Sequence, residues 1–394
     1  MKESLLIQNF GPIKEARIED IKPLTILIGE SGSGKSTIMK VLAMFQWIYK
    51  MMCIRSFLRY SGVKKTSFRI VFKSLLQDNG LQAYLRSDTK FEYQNGSTIL
   101  TYTGELKGTA ALVPKNELCL EKIVFMSDKR AIIGDVVEQK ATLRRSFYLL
   151  DFLDNYLQAT DVVKKMNVEF ADVCFEIKKT SQGVKHMIVG SDNDRVYNVK
   201  LNEASSGMQS SIPVLLIVEY FAKYYDLVKS MNKSILSYVT KNDSITDFRA
   251  TKNISDFSNK IVNLFIEEPE LNLFPEAQRK FTQAIIGTCF AQQEYKLHLT
   301  MATHSPYILS AINNMMYAYS VGLDSDKSEK VANIISKEYW INPDDVGVFL
   351  VCDGSITNIM DEDLKQIQVE KIDTASTIMN EQYDQILNIE YLND

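Results

Sequence analysis

The residues of this chain best spaced to do chemistry run Gly29-Glu30-Ser31-Gly32-Ser33-Gly34-Lys35-Ser36-Thr37. They fit G-x-x-x-x-G-K-[ST], a loop whose glycines let successive backbone N–H groups turn inward on a polyphosphate. In such a loop the lysine reaches the β- and γ-phosphates and the following hydroxyl ligates Mg2+, which assigns those tasks to Lys35 and Ser36. The motif needs a strand before it and a helix after it. Leu24 to Ile28 is a continuous apolar run of strand length, and Ser36 to Tyr49 has helical character with neither Gly nor Pro. The segment therefore predicts an ATP-type phosphate cradle at a helix N-terminus.

Two further stretches place chemistry at strand ends. Lys260 to Ile266 reads as a buried strand closing in Glu267-Glu268-Pro269-Glu270. Unpaired buried carboxylates are costly, so adjacent acids there imply a cation or a water to be held. Glu267 would complete the Mg2+ shell, and Glu268 would orient or deprotonate an attacking water. Leu297 to Met301 is a second such strand, ending in Ala302-Thr303-His304-Ser305-Pro306. His304 is placed there as a γ-phosphate contact, while Thr303 or Ser305 can cap the next helix, with Pro306 in its first turn. Asn202 to Ser211, rich in Ser around Gly207, opens an apolar helix to about Val228. It could be an anion site at a helix start, but alone it reads as a simple capping loop. Ser127-Asp128-Lys129-Arg130 follows a strand at Lys122 to Met126, where α/β sheets take ligands.

The elements that must position these residues follow from pattern. Residues 4–28 read as strand, turn, strand, strand about Gly11-Pro12, and Phe91 to Tyr102 as a hairpin near Asn95-Gly96. Residues 139–166 read as helix, 168–201 as antiparallel strands broken at Gly190 to Asn193, and 231–258 as a flexible or inserted segment. Between Lys50 and Gln77 lie Lys50, Arg55, Arg59, Lys64, Lys65, Arg69 and Lys73 with no acid. Interleaved with aromatics, they read as a phosphate-backbone contact or as a solvated face of two amphipathic helices. Trp340 to Asp394 holds a strand at Val346 to Val351, a turn at Asp353-Gly354, and a helix or two, with a net charge of -7 from Asp361 onward.

Composition narrows the class. The 394 residues, 45% hydrophobic and 24% charged, can bury a large core. A net charge of -4 gives no global attraction to nucleic acid or membrane. Five scattered cysteines and three histidines argue against a disulfide framework or a zinc centre and for a reducing compartment. The chain opens directly into a strand, and its longest apolar run, Ile212 to Val218, is short for a bilayer. The expectation is a cytoplasmic protein with no membrane contact.

Together these stretches resemble the ABC-type ATPases of the SMC, RecF and OLD group, and most nearly the stand-alone AAA/ABC-like ATPases of bacterial anti-phage defence systems. Leu5 to Ile13 is similar to that group's first strand and Gly29 to Ser36 to its Walker A loop. Ser205-Ser206-Gly207-Met208-Gln209 resembles the signature motif, Phe265 to Pro275 the Walker B and D-loop run, and Thr303 to Pro306 the switch histidine. Glu267 stands for the usual aspartate, Met208 for the second signature glycine and Phe274 for a common histidine; no Q-loop glutamine is evident.

The resemblance implies an α/β P-loop head with a mixed sheet, an antiparallel β subdomain and a helical lobe. Its segments would be 1–49 with the Walker A loop, 50–201 as inserted helical and antiparallel parts, 202–260 as signature helix and lobe, 261–352 with Walker B and switch, and 353–394 as an acidic helical tail. ATP and Mg2+ are the implied ligands. Gly29 to Thr37 would hold the nucleotide, with Ser206, Gly207 and Gln209 facing the ATP of a second copy. A homodimer or higher even oligomer is implied, with a separate effector, a nuclease among the candidates. Long coiled coils and an appended nuclease domain have no room. A RecF-like DNA-repair ATPase using residues 50–77 stays open as the alternative, and a transporter's ATP-binding subunit ranks third.

Overall fold

The computed structural model describes residues 2–63, 70–139, 147–181, 183–192, 195–240, 257, 259–291, 294–369 and 381–386. Eleven strands among these form one mixed sheet. Its parallel half runs, in spatial order, Val346–Cys352, Leu24–Ile28, Lys296–Thr303, Asn259–Glu267 and Cys119–Met126. The antiparallel half comprises Ile13–Ile18, Glu3–Phe10, Lys90–Asn95, Thr98–Tyr102 and Leu106–Lys107. Ser355–Asn358 joins the halves, antiparallel to Val346–Cys352 and parallel to Ile13–Ile18. The register brings the strand ends level: Ile28 pairs with Thr303, Ala302 with Glu267 and Ile266 with Met126. The loops after Ile28, Met126, Glu267 and Thr303 thus leave the same edge of the sheet.

The helix after the phosphate loop runs Lys35–Tyr60, eleven residues beyond the expected end at Tyr49. Nothing breaks it before Gly62, and Met52, Cys53, Phe57 and Leu58 extend its buried face. It is apolar nearly all round because both halves of the sheet close on it. Phe45, wholly buried, stacks on Tyr93 at 5.5 Å and meets Phe91 edge-on; burying such a ring contributes about 1.5–3 kcal/mol. This helix alone, among the described residues, is long and apolar enough to cross a membrane, and its apolar window is 78% buried in the fold.

A helical lobe of Phe147–Val162, Ser206–Lys223 and Leu227–Thr240 accompanies a four-stranded antiparallel sheet, Lys165–Val168, Val173–Thr180, Gly183–Asp192 and Arg195–Lys200. The mixed sheet, antiparallel subdomain and helical lobe are those expected. Several boundaries differ. The expected helix 139–166 begins as Ile133–Gln139 and resumes at Phe147, with 140–146 outside the described residues. Gly190 does not break its strand; it pairs with Tyr197. The helix opening at Ser206 ends at Lys223, and part of the supposed insertion 231–258 is helix to Thr240. Met231 and Ile235 are buried there with Ile54, Phe57 and Leu58, apolar spacing that the polar surroundings hid. Residues 241–256 lie outside the described residues. After the Asp353-Gly354 turn the chain makes a strand rather than a helix, although Glu381 to Ile386 is helical.

Candidate functional site

The loop Gly29 to Gly34 leaves the Leu24–Ile28 strand and delivers Lys35 as the first residue of its helix. A side chain at Gly29 would run into the Val351 carbonyl of the neighbouring strand, so the close approach requires glycine. Glu30, Ser31 and Gly32 are exposed, whereas Lys35 and Thr37 are buried and Ser36 half-buried. Lys35 Nζ donates to the carbonyls of Gly29 (2.8 Å) and Glu30 (2.7 Å) and lies 3.3 Å from His304 Nδ1. Burial pulls its pKa down to about 8, against the opposing pull of Glu268, Glu270 and Glu30. A buried cation in a glycine cradle suits an anion with several charges. The Ser33 hydroxyl, also buried, has no hydrogen-bond partner and is a further donor for one.

The predicted acids and histidine meet this lysine. His304 Nδ1 is 2.9 Å from the Gly29 carbonyl, and its Nε2 is 3.3 Å from Glu268 Oε1. Lys35, His304 and Glu268 are therefore linked across three strand ends. The His304 N–H donates to Glu270 Oε1 at 2.6 Å, which fixes where the ring enters the site. Glu268 has φ +46°, a left-handed conformation that a non-glycine residue adopts only when its surroundings hold it. Its N–H is held by the Ala302 carbonyl at 2.8 Å. Glu267 is 3% exposed and pairs with Lys40 Nζ at 3.5 Å. Ser305 caps the following helix by accepting from the Tyr307 N–H, as expected.

The signature-like segment packs onto the loop after Glu268. Ser205 and Ser206 are exposed at the helix start. A Cβ on Gly207 would lie 2.8 Å from the Asn272 carbonyl, and Ser210 Oγ donates to the Leu271 carbonyl at 2.7 Å. Gln209 turns inward: its carboxamide donates to the carbonyls of Asn202 (3.1 Å) and Ala204 (2.8 Å), bracing the helix start. Exposed Phe274 follows on the same loop.

Sequence reasoning missed the part played by Arg130. The run Ser127 to Arg130 stands at a strand end as expected, but Arg130 is wholly buried. Its guanidinium donates to the carbonyls of Ser210 (2.9 Å), Ser127 (3.3 Å), Glu267 (2.5 Å) and Glu268 (2.5 Å). Burial lowers its pKa to about 10, with Glu270, Asp128, Glu268 and Glu267 pulling the other way. It ties the strand end at Met126, the acids after Ile266 and the signature-like helix into one unit. The only available signal was an arginine in a polar cluster after a strand.

The basic stretch separates on folding. Lys64, Lys65 and Arg69 lie outside the described residues. Arg55 is committed to carbonyls of its own chain, Thr109 and Ala111. Lys50 lies between buried groups, its pKa lowered to about 8 by desolvation and by Lys122. Neither meets the expectation of a phosphate contact, because each is used in packing.

A strand, a glycine loop and a helix, with acids and a histidine on adjoining strand ends, define a P-loop ATPase head. The chain belongs to the AAA ATPase domain family, whose sequence profile matches residues 1–92 and 121–309, more than half its length. It is an ATPase. No curated protein matches it. Similar solved structures include an SMC head bound to the C-terminal winged-helix domain of ScpA, at 12% identity over 90% of this chain and 96% of that one, TM-score 0.37. Another is CbiO1 of Clostridium perfringens, part of the ABC transporter complex CbiONQ, at 12% identity over 100% and 99%, TM-score 0.29. A third is the recombination mediator RecF with an ATP analogue, at 9% identity over 91% and 98%, TM-score 0.35.

Proposed function

We propose that this chain is the ATP-hydrolysing subunit of a bacterial anti-phage defence complex, in which two copies close around two ATP molecules and so control a partner effector. The loop from Gly29 to Thr37 holds the polyphosphate, with Lys35 exchanging its backbone carbonyls for phosphate oxygens. Glu268 takes the proton of the attacking water, and His304, beside both Lys35 and Glu268, positions the γ-phosphate. Ser36 and Glu267 suit Mg2+, which usually takes one or two protein oxygens and completes its shell with phosphate and water; bound there, it would neutralise charge on the phosphates. Lys40, 3.5 Å from Glu267, helps to orient that acid. The working compartment is the cytoplasm, and the effector is a separate protein, a nuclease among the candidates.

The observation that carries the dimer is the exposed Ser205-Ser206 pair at the start of a helix docked on the loop after Glu268. It presents an exposed hydroxyl at a helix start that packs against the loop after Glu268. Ser206→Arg is expected to leave ATP binding by one copy intact and to prevent ATP-dependent assembly. Light scattering with and without ATP reads the result, and undiminished assembly of the variant would refute the signature role. A RecF-like ATPase that binds DNA directly remains the second reading, resting on the cations of the 50–77 stretch other than Lys50 and Arg55.

A further inference from the structure

The parallel strands have a second populated edge, at their amino ends, roughly 15–25 Å from the phosphate loop at about 3.3 Å per residue. A cavity of about 630 Å³ opens there, among the starts of the strands at Cys119, Asn259 and Lys296 and the segment Asp20 to Pro23. Glu3 and Glu121 form part of its wall.

One of these acids has a buried oxygen without a donor. Glu121 is 2% exposed, and its Oε2 has no hydrogen-bond partner. Glu3 Oε1 accepts from Gln46 Nε2 (3.0 Å) and Tyr93 OH (2.7 Å). Gln46 is itself buried with an unpartnered Oε1. Two buried acceptors without donors, on Glu121 and on the Gln46 that holds Glu3, beside these two acids call for a group rich in N–H and positive charge. A bare metal ion fits poorly, because among the described residues no three His, Cys, Asp or Glu side chains converge to hold one.

Six carboxylates line the wall against three lysines. Lys22 is committed to Asp20 at 2.7 Å, and Lys365 outside the wall to Asp344 at 3.0 Å. His298 is kept neutral, desolvation pulling its pKa down to about 4. Lys260 and Lys296 share the wall with Glu294 and Asp345, so carboxylates stand both beside Glu3 and elsewhere around an elongated space.

We propose that this cavity is a binding site for an aliphatic polyamine, one ammonium donating to Glu121 and Glu3 and another to the remaining wall carboxylates. Glu3, which the ligand would meet, is held by Gln46 of the helix that begins in the phosphate loop. Desolvation, and next the charge of Glu3, push the Glu121 pKa up to about 8. Lys50, Tyr49, Cys53, Tyr93 and Cys119 also face Glu121. A bound ammonium therefore displaces a proton from Glu121 at neutral pH.

Titration calorimetry of the nucleotide-free protein with spermidine, in two pH 7 buffers of different ionisation heat, tests the site. Saturable binding with release of nearly one proton is expected. Glu121→Gln should weaken it at least tenfold, as loss of a charge-assisted hydrogen bond of about 1.5–3 kcal/mol requires, and should abolish proton release. Glu3→Gln should weaken binding while leaving a smaller release, and Lys35→Ala should change neither. Absence of saturable heat up to about millimolar spermidine would overturn the proposal, leaving water as the partner of these oxygens. So would equal binding by a melting-checked Glu121→Gln protein, or butylamine binding as tightly as spermidine.

Discussion

Replacing Arg130 separates holding the site together from holding nucleotide. Its four carbonyl partners lie on three elements, and two of them belong to Glu267 and Glu268. Arg130→Met leaves these carbonyls without their donor, and removing one partner from a buried charged network costs about 3–5 kcal/mol. An unfolding entropy of about 2.1 cal/mol/K per residue over this chain turns that cost into a fall in Tm of about 4–6 °C. Arg130→Lys keeps the charge but loses the planar fork, so at most part of the clamp survives. Without it Glu268 relaxes from φ +46° toward ordinary backbone, and its carboxylate leaves His304. A misplacement of about 1 Å costs roughly a hundredfold in rate, while the Gly29 to Thr37 loop, which Arg130 does not touch, keeps its affinity for ATP. Calorimetric ATP binding and steady-state hydrolysis of Arg130→Lys are the assays. Hydrolysis at the wild-type rate, or ATP affinity falling in step with turnover, would refute the reasoning.

ATP affinity should be level below pH 8 and fall about tenfold per unit above it, since the nucleotide needs Lys35 charged and its pKa is about 8. Fluorescent-nucleotide titrations from pH 6.5 to 9.5 check this, and a Lys35→Ala protein should bind ATP poorly with no such break. For nucleic acid, each phosphate contact contributes about -0.9 to the log–log salt slope on duplex DNA. With Arg55 and Lys50 engaged internally, the five other cations of the 50–77 stretch, all on phosphate, would give about -4.5; a protein that does not bind DNA directly should give a slope shallower than about -2. A slope steeper than about -4 would restore the RecF-like alternative.

The phosphate loop and the strand ends were legible because their chemistry is local. The run Leu24 to Lys35 states strand, turn and helix start in order, and Glu267 and His304 each close an apolar strand. Contacts made between distant segments left little trace. Arg130 acts through carbonyls, which any residue can offer, so its partners at Ser210 and Glu268 have no sequence signature. Gln209 occupies the motif position, yet its inward turn depends on where Asn202 and Ala204 end up. Lys50 and Arg55 look like surface charge until the helix from Lys35 is seen to continue to Tyr60, which carries one inward and the other onto the Thr109 loop. The strand after Gly354 is a different case: it returns against Val346–Cys352 as a hairpin across Asp353-Gly354, a turn visible in the sequence, but Ser355 to Asn358 is too short and polar to read as a strand.

The central claim is that Glu268, held between Arg130 and His304, is the base of an ATPase whose nucleotide sits on Lys35. Single-turnover hydrolysis by Glu268→Gln tests it most directly, because the carboxamide keeps the shape and loses the proton acceptor. ATP bound at wild-type affinity and cleaved roughly a hundredfold or more slowly is the predicted result, in line with the 10²–10⁴ that general-base catalysis contributes. Cleavage at the wild-type rate would contradict it and move the chemistry to Glu267 or His304.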